Sequence, residues 1–191
     1  MKKTYTKVFS AAVMAAAAVS ATATMSAPAS AAAVTIRVER AYAETVWEWN
    51  GQVTCPTNQV LTGRSHVGDE NRPTTYYCGF VFINDEQVQV HLGDWTPGQT
   101  ESRSSYIAPP DQALVGRWHT GDENGKTSYR TAALYWQGRQ VRLTSPAWTG
   151  EYKESNHITE AGYNQVMTGR THSGDENGKT RYQYATVTFE G

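Results

Sequence analysis

From residue 34 to the C-terminus, apolar and polar residues alternate in short runs, and no window sustains the 3.6-residue apolar period of a helix. The clearest alternation lies in Tyr76–Ile83, Tyr129–Trp136 and Tyr182–Phe189. There Gly79/Val81/Ile83, Ala132/Leu134/Trp136 and Ala185/Val187/Phe189 fall on one face, as in half-buried strands with that face on the core. Val34–Arg40, Gln87–Gly93 and Gln140–Pro146 read as opening strands, each followed by an aromatic residue: Tyr42, Trp95 or Trp148. Thr45–Trp49, Glu101–Ile107 and Glu154–Thr159 read as second strands, and Cys55-Pro56, Ala108-Pro109-Pro110 and Ala161-Gly162 as the turns after them. The pattern predicts an all-β domain.

The elements recur because the sequence does. NQVLTGRSHVGDENRPTTY (58–76), DQALVGRWHTGDENGKTSY (111–129) and NQVMTGRTHSGDENGKTRY (164–182) align without a gap, and Asp69, Asp122 and Asp175 are spaced by 53 residues. Three units of about 53 residues, near 34–84, 85–137 and 138–191, fill the chain after residue 33. Evenly spaced short strands in three copies predict a pseudo-three-fold repeat domain of β-trefoil or β-prism-like type.

The first 31 residues read differently. Lys2, Lys3 and Lys7 precede an Ala-rich apolar stretch from Val8 to Met25, and Ala-Pro-Ala and Ala-Ser-Ala offer small-residue cleavage sites: a signal peptide over 1–31 and a secreted, extracellular protein. Removing those three lysines from the 17 Lys+Arg leaves 14 against 18 Asp+Glu, a net charge of about −4, so no basic stripe remains for nucleic acid. No second apolar span is present, which argues against membrane insertion. The two cysteines, Cys55 and Cys78, would meet in an oxidising compartment as a disulfide closing a loop of about 24 residues.

Within the motif, strand parity places Arg64 and His66 on one face with Val60, and Ser65 and Val67 on the other. The first face is held in all copies, as Arg64/Arg117/Arg170 and His66/His119/His172. So are Asp69/Asp122/Asp175, Glu70/Glu123/Glu176, Asn71/Asn124/Asn177 and Tyr76/Tyr129/Tyr182, while the second face drifts through Trp118, Thr120, Thr171 and Ser173. Two readings stand side by side. In one, GDEN is a hairpin tip, with Asp capping its own turn and Asn and Gly at positive φ, and Arg, Glu, His and Tyr form a buried polar network. In the other, the invariant set is a ligand-binding site in triplicate. Asp, Asn, Glu and Gly would meet vicinal hydroxyls, with Tyr76, Tyr129, Tyr182, Trp95, Trp118 and Trp148 as stacking faces, so that avidity replaces single-site affinity. No GxSxG, HExxH or DxDxDG pattern occurs, and neither an enzyme nor a metal or other cofactor is expected. His91 and His157 read as surface or turn residues, and Trp47, Trp49 and Trp136 as core or rim packing.

The run TGR-x-H-x-GDENG-x-T-x-Y at 168–182, nearly repeated at 115–129, resembles a repeat of secreted or surface bacterial proteins that carry lectin-like or pilus-tip adhesin segments. More loosely, the chain is similar to the small secreted adaptors of Streptomyces umbrella toxin particles, which join a lectin subunit to a long repeat-containing toxin subunit. The first resemblance implies a glycan or cell-surface polymer as partner, the second extracellular protein partners. Unit one departs from the motif at Arg72-Pro73, which is expected to alter its turn.

Overall fold

The computed structural model describes residues 1–4, 34–69 and 71–190. The chain divides into two compact units, residues 1–31 and 32–191. Of the first, only residues 1–4 are described, without regular structure, so the expected signal peptide otherwise lies outside the described residues. The second unit is all-β.

Four main strands arise in each 53-residue segment. The first segment has β1 (Ile36–Trp47), β2 (Asn50–Thr54), β3 (Gln59–Val67) and β4 (Pro73–Ile83); β5 (Glu86–Gln87) follows. The second has β6 (Gln89–Trp95), β7 (Gln99–Thr100), a 3-10 turn at Glu101–Arg103, β8 (Ser105–Ile107), β9 (Gln112–Thr120) and β10 (Lys126–Trp136). The third, after β11 (Arg139–Gln140), has β12 (Arg142–Trp148), β13 (Tyr152–Lys153), β14 (Asn156–Glu160), β15 (Gln165–Ser173) and β16 (Lys179–Thr188). The motif strand of each segment starts after a left-handed residue: Asn58, Asp111 and Asn164 all have φ 59°. Asn and Asp are the non-glycine residues that tolerate this conformation best.

One expected boundary is wrong. Thr45–Trp49 is not a separate second strand in segment one. After a bulge between Arg40 and Tyr42, β1 stays paired with β4 as far as Trp47 opposite Pro73, and β2 begins only at Asn50. In segment two the expected strand starts late, because Glu101–Arg103 is a turn of 3-10 helix.

The pairings are antiparallel and follow one rule. Each segment's fourth strand lies between its own first and third strands, as in β1–β4–β3. The second strand leaves its own segment. β2 pairs with β9, β8 with β15 and β14 with β3, so the segments are joined in a cycle. The registers match at 53-residue steps: Val53 faces Arg117, Tyr106 faces Arg170, and Thr159 faces Arg64. Gly116 and Gly169 permit this approach, since a Cβ would lie 2.6 Å from the Val53 carbonyl oxygen and 2.8 Å from that of Tyr106; Gly63 meets Thr159 in the same way.

Two apolar layers fill the interior. One is aliphatic, with Val81, Ile83, Ala132, Leu134, Ala185 and Val187 from the fourth strands, the face predicted from their alternation. The second holds Leu61, Leu114 and Met167 with Tyr76, Tyr129 and Tyr182. Val60 lies in the first layer and Leu61 in the second; a bulge between Leu61 and Gly63 then breaks simple parity. Cys55 and Cys78 form the expected disulfide, with Cα atoms 5.7 Å apart. The backbone N–H of Cys55 also donates to the Val115 carbonyl (2.8 Å), so the bridge ties the cross-segment contact to its own hairpin. Among the described residues, no helix is long and apolar enough to cross a membrane.

Candidate functional site

Arg64, Arg117 and Arg170 lie on β3, β9 and β15, where the neighbouring segment's second strand runs alongside. Their guanidinium groups alternate with three carboxylates from the turns before the second strands. The six close into a ring: Glu48–Arg117 2.5 Å, Arg117–Glu101 2.9 Å, Glu101–Arg170 2.9 Å, Arg170–Glu154 3.2 Å, Glu154–Arg64 2.7 Å and Arg64–Glu48 3.0 Å. None of the six is more than 7% exposed. Three cations and three anions cancel, which is what permits such burial.

Hydrogen bonds couple the ring to the tyrosine layer below it. Arg117 donates to the Tyr76 hydroxyl (2.7 Å), Arg170 to Tyr129 (3.3 Å) and Arg64 to Tyr182 (2.8 Å), each tyrosine belonging to a different segment from its arginine. His157, expected at the surface, is a member of this network. It is buried, with Nε2 2.8 Å from the Tyr182 hydroxyl and Nδ1 2.8 Å from the Glu154 carbonyl oxygen. Segments one and two have Gly51 and Ser104 at that step of the repeat, so the histidine is particular to the third.

Electrostatics follow from this enclosure. Burial pushes the Glu48, Glu101 and Glu154 carboxyls up, but the flanking arginines more than reverse it; Glu101 falls to about 2, and the other two lie well below the ordinary range. Burial, reinforced by the adjacent arginines, lowers His66, and brings His119 and His157 down to about 4.

The GDEN tips lie beyond the histidines. Asp69, Asp122 and Asp175 are exposed, and each accepts at Oδ1 from the backbone N–H of Asn71, Asn124 or Asn177 (3.0, 2.9 and 2.8 Å). Gly68, Gly121 and Gly174 take positive φ, whereas Asn124 and Asn177 do not. The turn of segment one keeps the bond of the others despite Arg72-Pro73: Arg72 N–H donates to the Asp69 carbonyl (3.0 Å), as Gly125 does to Asp122 and Gly178 to Asp175 (both 2.8 Å). Glu70 lies outside the described residues, while Glu123 and Glu176 are half-buried and accept from their own Asn124 and Asn177 side chains. Each tip docks on a neighbouring segment, with Gly68 donating to the Ser155 carbonyl, Gly121 to Trp49 and Gly174 to Ser102 (2.8, 2.7 and 2.9 Å).

Between ring and tips lies a small pocket of about 30 Å³, lined by Glu48, Glu101, Glu154, His66, His119, His172, Asp122, Glu123, Asp175 and Glu176. The motif residues are thus brought to one place, but not equally. Arg, His and Tyr are interior, Glu123 and Glu176 line the pocket, and the Asp–Asn pairs face solvent. Among the described residues, no group of three or more His, Cys, Asp or Glu is arranged to hold a metal ion.

No family model, curated protein or solved structure matches this chain. The site is therefore read from its own geometry. The expected stacking residues are scattered. Trp118 is exposed and meets Trp95 edge-on at 6.5 Å, while Trp148 is half-buried beneath the Arg181 guanidinium. Trp47 and Trp49, expected in the core or its rim, are 56% and 48% exposed on either side of Glu48. Half of the ring was missed from sequence. Glu48, Glu101 and Glu154 recur at the 53-residue step, but in the unlike contexts WEW, TES and KES, so only the spacing announces them.

Proposed function

We propose that this is a secreted, non-enzymatic adaptor that joins protein partners outside the cell, and that the repeated motif holds its fold together. The observation that carries the reading is the closed, buried Arg–Glu ring. It keeps the invariant Arg and Tyr side chains in the interior and the His side chains buried against a pocket of about 30 Å³, and the motif's recurrence then follows from the ring needing three equivalent contributors. Besides the exposed Asp–Asn pairs of the tips, the segments expose different large apolar side chains: Trp47, Trp49 and Trp118 beside the β2–β9 pair, Val67 and Ile158 on β3–β14, and Ile107 on β8. Unlike surfaces on like lobes suit unlike partners. A β-prism-like arrangement, three four-stranded sheets about a pseudo-three-fold axis, is supported by the runs β1–β4–β3–β14, β6–β10–β9–β2 and β12–β16–β15–β8. The disulfide and the leader-like first 31 residues support export.

A second reading, lectin-like recognition through the tips, draws on the exposed Asp69/Asn71, Asp122/Asn124 and Asp175/Asn177 pairs. Affinity purification from culture supernatant and a glycan array separate the two. The adaptor reading expects a stoichiometric protein partner that is lost from the double variant Trp47→Ala/Trp49→Ala, and no glycan signal that depends on Asp122 or Asp175. Saturable glycan binding abolished by Asp122→Ala and Asp175→Ala, with unchanged melting temperatures, would overturn it.

A further inference from the structure

The pocket between ring and tips carries an unmet demand for a hydrogen-bond donor. His119 Nε2 lies 3.0 Å from the Gly121 carbonyl oxygen and His172 Nε2 2.9 Å from that of Gly174. A carbonyl only accepts, so Nε2 carries a proton in each ring, and where the imidazole is neutral, as burial and Arg117 keep His119, Nδ1 is a bare acceptor. Those Nδ1 atoms face further acceptors: His119 Nδ1 is 3.9 Å from Glu101 Oε2, and His172 Nδ1 is 3.5 Å from Glu154 Oε2. All four atoms are buried without a hydrogen-bond partner. Glu154 Oε2 at least has Arg170 at 3.2 Å, whereas Glu101 hands its Oε1, not its Oε2, to Arg117 and Arg170. Acceptor facing acceptor in a dry site is unfavourable unless a donor lies between them.

The surroundings select the donor. The ring is electrically neutral, and the pocket's outer wall adds Asp122, Glu123, Asp175 and Glu176, so a positive donor is favoured over a neutral one. The space, about 30 Å³, suits one compact head with several N–H groups. A lysine ammonium is a compact point charge with three rotatable donors, whereas a guanidinium is a planar fork. We propose that the pocket receives the ε-ammonium of a lysine presented by the protein partner, its slim methylene stem passing between the tips. This rests on the adaptor reading and names the chemistry by which one partner is recognised.

Nitrogen-15 NMR of the histidine rings in the intact secreted protein tests it, with Nα-acetyl-lysine methylamide, methylammonium, glycinamide, Nε-acetyl-lysine and tetramethylammonium as probes at matched ionic strength. The expected result is a saturable shift of the His119 and His172 Nδ1 signals with the lysine amide and methylammonium, and none with the acetylated or quaternary probes. The rim variant Glu123→Gln/Glu176→Gln leaves the ring intact and should weaken binding about two- to five-fold. The proposal is overturned if primary amines act no differently from tetramethylammonium, the site then holding water alone. A response to Zn²⁺ without one to amines would replace it with a metal site. Glycinamide binding as well as the lysine amide would shift the source to a chain's α-amine, and a doubly protonated His119 at neutral pH in the free protein would remove the bare acceptor altogether. A partner captured from supernatant with its lysines acetylated sinks the lysine and leaves the adaptor standing.

Discussion

At the scale of single residues, the ring is a set of charges that tolerate burial only together. Each arginine is shared by two carboxylates and each carboxylate by two arginines, so removing one member leaves two neighbours short of a counter-charge. Arg117→Met is therefore expected to destabilise by about 3–5 kcal/mol, the usual cost of stranding a buried charge. Tyr76 also loses its donor in that variant. Urea unfolding measures the difference directly. A loss below about 1 kcal/mol would show that Glu48 and Glu101 find other partners or water, and that the ring is looser than its distances imply. The motif made Arg, His and Tyr visible in the sequence because they sit in one continuous block. Their carboxylate partners were not visible in the same way, since a side chain at the apex of a turn is fixed by where it points and its neighbours are free to change, as Trp47/Trp49, Thr100/Ser102 and Lys153/Ser155 do around the three glutamates.

At the scale of elements, the fourth strands were the most legible because one face packs on the aliphatic layer and alternation records that burial. The second strands were the least. β2, β8 and β14 are short, pair outside their own segment and carry no pattern of their own, so their bounds depend on where the partner strand lies. The glycine of the TGR/VGR step is the local record of that pairing. Gly116→Ala would place a methyl group 2.6 Å from the Val53 carbonyl oxygen and within 3.0 Å of the Trp95 ring, forcing β2 off β9. Gly150 has nothing within 4 Å of its would-be Cβ and serves as the control. Gly116→Ala and Gly169→Ala are each expected to cost about 1–3 kcal/mol, the range for overpacking, while Gly150→Ala stays within about 0.5 kcal/mol. Thermal unfolding of the three variants, with amide exchange at Val53 and Thr54, checks both the magnitude and the seam. Uniform loss of protection in Gly116→Ala would place the strain elsewhere than at the β2–β9 contact.

At the scale of the whole molecule, the polar centre couples all three segments to one proton balance. His119 and His157 ionise at about 4 in the folded protein, against an ordinary value of about 6.5, because burial and the arginines disfavour the imidazolium. The unfolded chain therefore binds more protons than the folded one between those values. Their contribution is whole above about pH 6.5 and is lost as pH falls towards 4. The carboxylates act in a lower window. Glu101 titrates at about 2 when folded, with Glu48 and Glu154 also held well below the usual range, so the stability they bring is present above about pH 4.5 and disappears as pH drops towards 2. Both terms have the same sign, and calorimetry from pH 8 downward should show a melting temperature that never rises, with one decline between about pH 6.5 and 4 and a second below it. In the His119→Gln/His157→Gln variant the first decline should shrink while the second remains. A maximum near pH 5 in the unaltered protein would mean that the histidines are charged and paired with the ring's glutamates. The ring would then be an eight-member charge cluster and not a neutral one, and the tilt of the pocket towards cations would be lost with it.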